Sequence, residues 1–178
     1  GLLSTFNPGS FGSVDLYKGG FPARYSGGLS SIVQMNSKTI DYEKFSGSAT
    51  VGIVSASLLL NVPVVEEKSG LLFSARRTYI DALIRPFQRK TDGLQSFNFH
   101  DVYLKYMHDL GSYGNVSVSG YFDRDMDYYR LYPKDGSSTL DEERYKRNQF
   151  VQGQWDKKFR EISNCFALNY SNYTDGSL

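Results

Sequence analysis

Cysteine is nearly absent from this 178-residue chain, and the one present, Cys165, has no partner for an internal disulfide. With two histidines, His100 and His108, the chain also offers no cysteine–histidine spacing of the kind that holds zinc. The two histidines are eight residues apart on one candidate strand, too far to share a metal. Each is followed by an aspartate, Asp101 or Asp109, but strand neighbours point to opposite faces. No serine elbow or reactive-cysteine context accompanies them. The expectation is a protein with no catalytic residues, no metal and no cofactor. A charge excess is lacking too: the formal net charge is +1, which suggests no nucleic-acid partner. No apolar run approaches the roughly eighteen residues of a transmembrane helix. That excludes helical spans and leaves a membrane β-barrel open, because barrel strands alternate. No basic, apolar leader follows Gly1, so any leader is expected to have been removed or to lie outside this sequence.

What the chain does have is aromatics at 15%, mainly 14 Tyr and 12 Phe, beside 17 Gly. Such a composition favours strands. Residues 76–88 alone have helical flavour, and Pro86 limits it. The fold class expected is therefore all-β. Candidate strands cover residues 13–18, 29–37, 44–53, 56–65, 71–79, 99–110, 115–128, 148–159 and 162–173. Several match the roughly nine to eleven residues with which a tilted strand crosses a bilayer, against about five or six for soluble strands.

Alternation is clear. Val102, Leu104, Tyr106 and Leu110 share one face of their strand, with Asp101, Tyr103, Lys105 and Asp109 on the other. Val116, Val118, Gly120 and Phe122 likewise oppose Asn115, Ser117, Ser119 and Tyr121, and Phe166, Leu168 and Tyr170 oppose Ala167, Asn169 and Ser171. The connections EEKSG, GSYG and FREI are short, whereas residues 80–98 and 130–147 form long ones. A tight link at Val54 and Ser55 is the exception on the long-loop side. Sorting of loops by length is a barrel property. A soluble half-buried β domain accounts for the alternation equally well. About seven long strands are too few, and odd in number, for a closed single-chain barrel, and the terminal YTDGSL looks like a loop. A segment of a longer protein is the expectation.

The stretch FNPGSFGSVDLYKGGFPARYSGGLSSIVQMNSK, residues 6–38, resembles the C-terminal end of the plug domain in TonB-dependent outer-membrane receptors, most of all the Bacteroidetes branch. FSARRTYIDALIRPF and FHDVYLKYMHDL resemble early barrel strands of that branch, and the similarity fades beyond residue 125. Ser26 departs from the pattern, standing where the family usually has glycine. The resemblance implies residues 1–40 as the end of a plug domain and 41–178 as the first third of a 22-stranded transmembrane barrel. It further implies a bacterial outer-membrane location and import of a large or scarce nutrient, energised by the inner-membrane proton gradient. The partners implied are TonB, through a segment absent here, and outer-membrane lipid. A surface lipoprotein or a larger outer-membrane complex is a further partner by analogy. Alternatives from other classes are a barrel serving as a structural or assembly partner, and a soluble β-sandwich binding module.

Candidate functional residues follow. The glycine loop lacks the spacing and the helix of a phosphate cradle. Instead Gly19, Gly20, Gly27 and Gly28 permit tight bends and close backbone approach, while Pro22 fixes its own φ. Arg24 is expected to lock plug to barrel wall through a carboxylate, against the alternative of a solvated loop arginine. Arg76 and Arg77 have opposite parity. If Leu71, Phe73 and Ala75 face lipid, Arg76 points inward, as a further candidate plug–barrel contact, and Arg77 sits near the rim, where an arginine costs about 0–1 kcal/mol instead of about 2–4 at mid-membrane. Asp123, Asp125 and Asp127 form an acidic column in phase with Ser117 and Ser119, expected to pair with plug arginines, to be hydrated, or to attract a cation. As an EF-hand the column fails, with Tyr128 at the glycine position and Lys134 at the last glutamate. Tyr79, Tyr128, Tyr129 and Tyr132 suit an aromatic girdle near the outer rim, with carbohydrate stacking as the sharper alternative.

Overall fold

A computed structural model describes residues 7–19, 31–79, 94–131 and 140–177, together with Leu83 and Pro86. The described chain is all-β and antiparallel. After a short 3-10 turn at Pro8–Ser10, strands β1 (Phe11–Tyr17) and β2 (Ile32–Ser37) pair as a two-stranded sheet. The remainder is one seven-stranded meander: β3 (Ser46–Val51), β4 (Ser55–Val65), β5 (Ser69–Thr78), β6 (Leu94–Asp109), β7 (Asn115–Leu131), β8 (Leu140–Phe159) and β9 (Ile162–Ser177). Within each sheet every strand pairs with its sequence neighbour.

Residues 66–68, 110–114 and 160–161 make the turns at one end of the sheet; at the other end residues 52–54 join β3 to β4, β5 and β7 end, and β6 and β8 begin. Glu67 and Arg160 adopt φ of 57° and 55°, the left-handed geometry that tight antiparallel turns require. Gly114 (φ 93°) has no substitute, since a Cβ there would run into the Asp156 carbonyl.

Three expectations are corrected. The terminal YTDGSL is no loop: residues 173–177 continue β9 and pair with residues 144–148 of β8. The long connections are shorter than they look in sequence, because residues 94–98, 130–131 and 140–147 are strand. These polar segments pair edge to edge along a continuous ladder, which satisfies their backbone regardless of side-chain hydropathy. Of the helical-looking stretch, Arg76, Arg77 and Thr78 belong to β5, and most of the rest falls outside the described residues.

Strands β6 to β9 contain 16, 17, 20 and 16 residues, well beyond what a bilayer crossing needs. The pairing from β6 to β9 runs without a register shift, so each side chain keeps its face. One face carries Leu71, Phe73, Leu104, Val118, Phe122, Val151 and Leu168, and it is bare: Val118 is 50% exposed, Val151 54% and Leu168 73%. The opposite, mostly polar face carries the buried core. There Ile40, from the segment after β2, packs with Leu72, Tyr103 and Tyr121, and Tyr42, Leu59, Met107 and Phe150 surround them. The N-terminal segment thus lies on the polar side of the large sheet.

Candidate functional site

The strongest constellation is where the N-terminal segment meets the polar face of β5, β6 and β7. Asn7 donates from Nδ2 to Ser74 Oγ at 2.8 Å. Phe11 sets its ring 6.1 Å from that of Tyr103. At the end of β2, Ser37 Oγ accepts from Lys105 Nζ at 2.8 Å. Each partner comes from the inward series Leu72, Ser74, Arg76, Thr78 or Phe99, Asp101, Tyr103, Lys105. Period-two alternation puts these residues in columns, and register sets them side by side.

Beneath this contact is a charged network. Arg76 Nε and Nη2 both lie 2.7 Å from Asp101 Oδ2, and the guanidinium sits 4.7 Å from the centre of the Phe99 ring. Asp101 stands directly opposite Asp123, and both are almost fully buried, at 1% and 2% exposure. Opposed like charges disfavour a sheet. Here a guanidinium holds one carboxylate, and neutral donors hold the other. Asp123 accepts from the Tyr121 hydroxyl at 3.0 Å, from the Asn148 backbone at 2.7 Å and from Asn148 Nδ2 at 2.9 Å.

A clasp secures the chain between the two sheets. Asn61 of β4 accepts from the backbone N–H of Asp41 and donates from Nδ2 to the carbonyls of Asp41 and Lys44, at 3.0, 2.8 and 3.0 Å. The Asp41 carboxylate in turn accepts from the N–H groups of Glu43 and Lys44, which hold it below the usual carboxylate range. Gly70 leaves room for Ile40: a Cβ on Gly70 would collide with the Ile40 side chain.

No family model, curated protein or solved structure matches the chain. The geometry carries the functional reading.

The residues singled out from sequence are distributed as follows. Arg76 points to the polar face and pairs with Asp101 of the adjacent strand; Arg77 points to the bare face, opposite Ala56 and His100. Asp123, Asp125 and Asp127 share the polar face with Ser117 and Ser119. They graduate outward, from buried Asp123 to Asp125 opposite Lys146 and exposed Asp127 opposite Arg144. Among the described residues no group of acids, histidines and cysteines is arranged to hold a metal ion. Gly19 has φ 145° in open space. Arg24, Gly20, Pro22, Gly27, Gly28 and Tyr132 lie outside the described residues, as does Ser26. Tyr79 donates to the Gly52 carbonyl and closes the β3–β4 link, and Arg130 stacks 5.4 Å from the Tyr128 ring. Tyr129 is 40% exposed at the same end of the sheet.

Sequence reasoning put Asp101 and Lys105 on the polar face without giving them a role, and it missed Asn7, Ser37, Asn61 and Asn148. Alternation assigns a face, but partners depend on register. For Asn7 and Ser37 they also depend on how one sheet sits on another.

Proposed function

We propose that this chain is the end of a plug and the first strands of the barrel in a TonB-dependent outer-membrane receptor, importing a large or scarce nutrient at the expense of the inner-membrane proton gradient. The observation that supports this most is an inversion. On β5, β6 and β7 the large sheet buries its polar face beneath the N-terminal segment and leaves its apolar face bare. In a water-soluble sandwich the apolar face is the one that packs on a second sheet, and exposed apolar patches beyond a few hundred Å² mark contact surfaces. In a membrane barrel, lipid covers that face and the lumen is polar. Strands of 16 to 20 residues suit a wall that crosses the hydrocarbon and projects beyond it.

On this reading the Asn7, Phe11, Ser37 and Ile40 contacts are where plug meets barrel. Small polar bonds there hold the plug in place yet break one at a time under a pull from TonB. Lys105–Ser37 and Asn7–Ser74 are of that type. The Arg76–Asp101–Asp123 network belongs to the wall and stays with it. No helix among the described residues is long and apolar enough to cross a membrane.

The test is whole-cell uptake by the full-length parent protein, across a panel of chelated metals, corrinoids and oligosaccharides. The reading expects uptake of a panel compound to stop with a protonophore and with deletion of the TonB-contacting segment. Uptake indifferent to both contradicts it. Retention of a stable outer-membrane complex with no energy-dependent uptake would favour a structural role.

A further inference from the structure

On the bare face, Arg77, His100, Arg124 and Arg147 form a single row across four strands. Arg77 stands directly opposite His100, His100 opposite Arg124, and Arg124 opposite Arg147. Adjacent strands are about 4.8 Å apart, so the row spans roughly 14 Å. Like charges placed opposite one another, as Arg124 and Arg147 are, weaken a sheet, and among the described residues no ion pair offsets them. The row above holds Asn98, Met126 and Tyr145, and the row below holds Ala75, Val102, Phe122 and Gln149, with no carboxylate in either. Ion pairs among the described residues go to Arg76 and Arg144 and not to this row. Arg124 Nε is buried with no hydrogen-bond partner. Arg147 is braced 5.3 Å from the Tyr145 ring, and the His100 ring lies 6.0 Å from that of Phe122.

Directly alongside lies an apolar groove of about 400 Å³, walled by Val102, Leu104, Phe122, Val151 and Tyr170. Its floor is Gly120, where an added Cβ would find nothing nearer than the Phe150 carbonyl at 3.9 Å, so the groove exists because this residue has no side chain.

We propose that this row and groove bind a phosphate-bearing lipid, its phosphate on Arg124 and Arg147 and an acyl chain over Gly120. The charge complementarity is specific. Guanidinium groups match phosphate oxygens in fork geometry, and an acyl chain matches a slot whose walls are aliphatic and aromatic. The row lies towards the end of the sheet that carries the long connections, which places the lipid in the leaflet facing outward. The inference rests on the membrane reading above, since the same face in water would have no lipid to meet.

The experiment uses the full-length parent protein in nanodiscs containing monophosphorylated lipid A, in parallel with discs of its dephosphorylated counterpart, and reads retained lipid by native mass spectrometry. Wild type is expected to retain the phosphorylated lipid at least tenfold over the dephosphorylated one. Arg124→Gln with Arg147→Gln should abolish that preference, Arg124→Lys with Arg147→Lys should restore part of it, and Gly120→Phe should lower retention of both lipids. Heat-modifiable migration on gels checks that each variant remains a folded barrel. Equal retention of the two lipids by a folded wild-type protein, or unchanged preference in the double glutamine variant, overturns the lipid site and leaves the barrel intact. A parent protein that does not enter discs or the outer membrane overturns both.

Discussion

Asp101 and Asp123 face each other across β6 and β7 at the buried centre of the polar face, and their oxygens are satisfied by different means. Arg76 holds the first at 2.7 Å, whereas Tyr121 and Asn148 hold the second with neutral donors. Removing one partner of a buried pair leaves an uncompensated charge and costs about 3–5 kcal/mol. Arg76→Met should therefore destabilise by about that amount, measured as the urea midpoint of the detergent-solubilised parent protein. Adding Asp101→Asn should recover part of the loss, with a coupling of about 0.5–3 kcal/mol. A single-variant loss below about 1 kcal/mol would mean the pair is solvated.

The acidic column divides by depth. Asp123→Ala removes three hydrogen bonds that Tyr121 and Asn148 donate to a carboxylate, at about 1.5–3 kcal/mol for a bond to a charged group. Asp127 is exposed, so Asp127→Ala should stay within about 0.5 kcal/mol. Comparing the two in one unfolding series checks the gradient. Equal effects would contradict the placement of Asp123.

The clasp at Asn61 is expected to govern the segment between the two sheets. Asn61→Ala removes three hydrogen bonds at once and should make the peptide after Lys44 a site of rapid trypsin cleavage. The Asp41 carboxylate adds a pH dependence. Its pKa is held below 3.8 by the Glu43 and Lys44 N–H groups, so its contribution is present above that value and lost as pH falls through the lowered one. Pepsin cleavage of residues 41–44 should accelerate over that acid range in wild type, and Asp41→Asn should flatten the change.

Much of this fold is legible from residues alone. Val102, Leu104, Val118 and Phe122 declare one face by alternation, and Asp101, Ser117, Ser119 and Asp123 the other. What sequence does not give is register. The approach of Arg76 to Asp101 follows from the register in which β5 pairs with β6. Strand ends are equally hidden: the polar run before Asn148 reads as loop because hydropathy is silent about a ladder satisfied by backbone bonds. The basic row on the bare face was half visible. Arg77 stood out by parity, but Arg124 and Arg147 joined it once the strands were aligned.

The account depends on lipid covering one face and the plug segment the other. Cysteine labelling of the parent protein in intact outer membranes, in a Cys165→Ser background, tests that directly. Leu104→Cys, Val118→Cys and Val151→Cys should react with a bilayer-soluble maleimide and resist a charged one. Ser117→Cys, Gln152→Cys and Gln154→Cys, on the polar face, should do the reverse. Rapid reaction of the first three with the charged reagent would contradict the membrane reading.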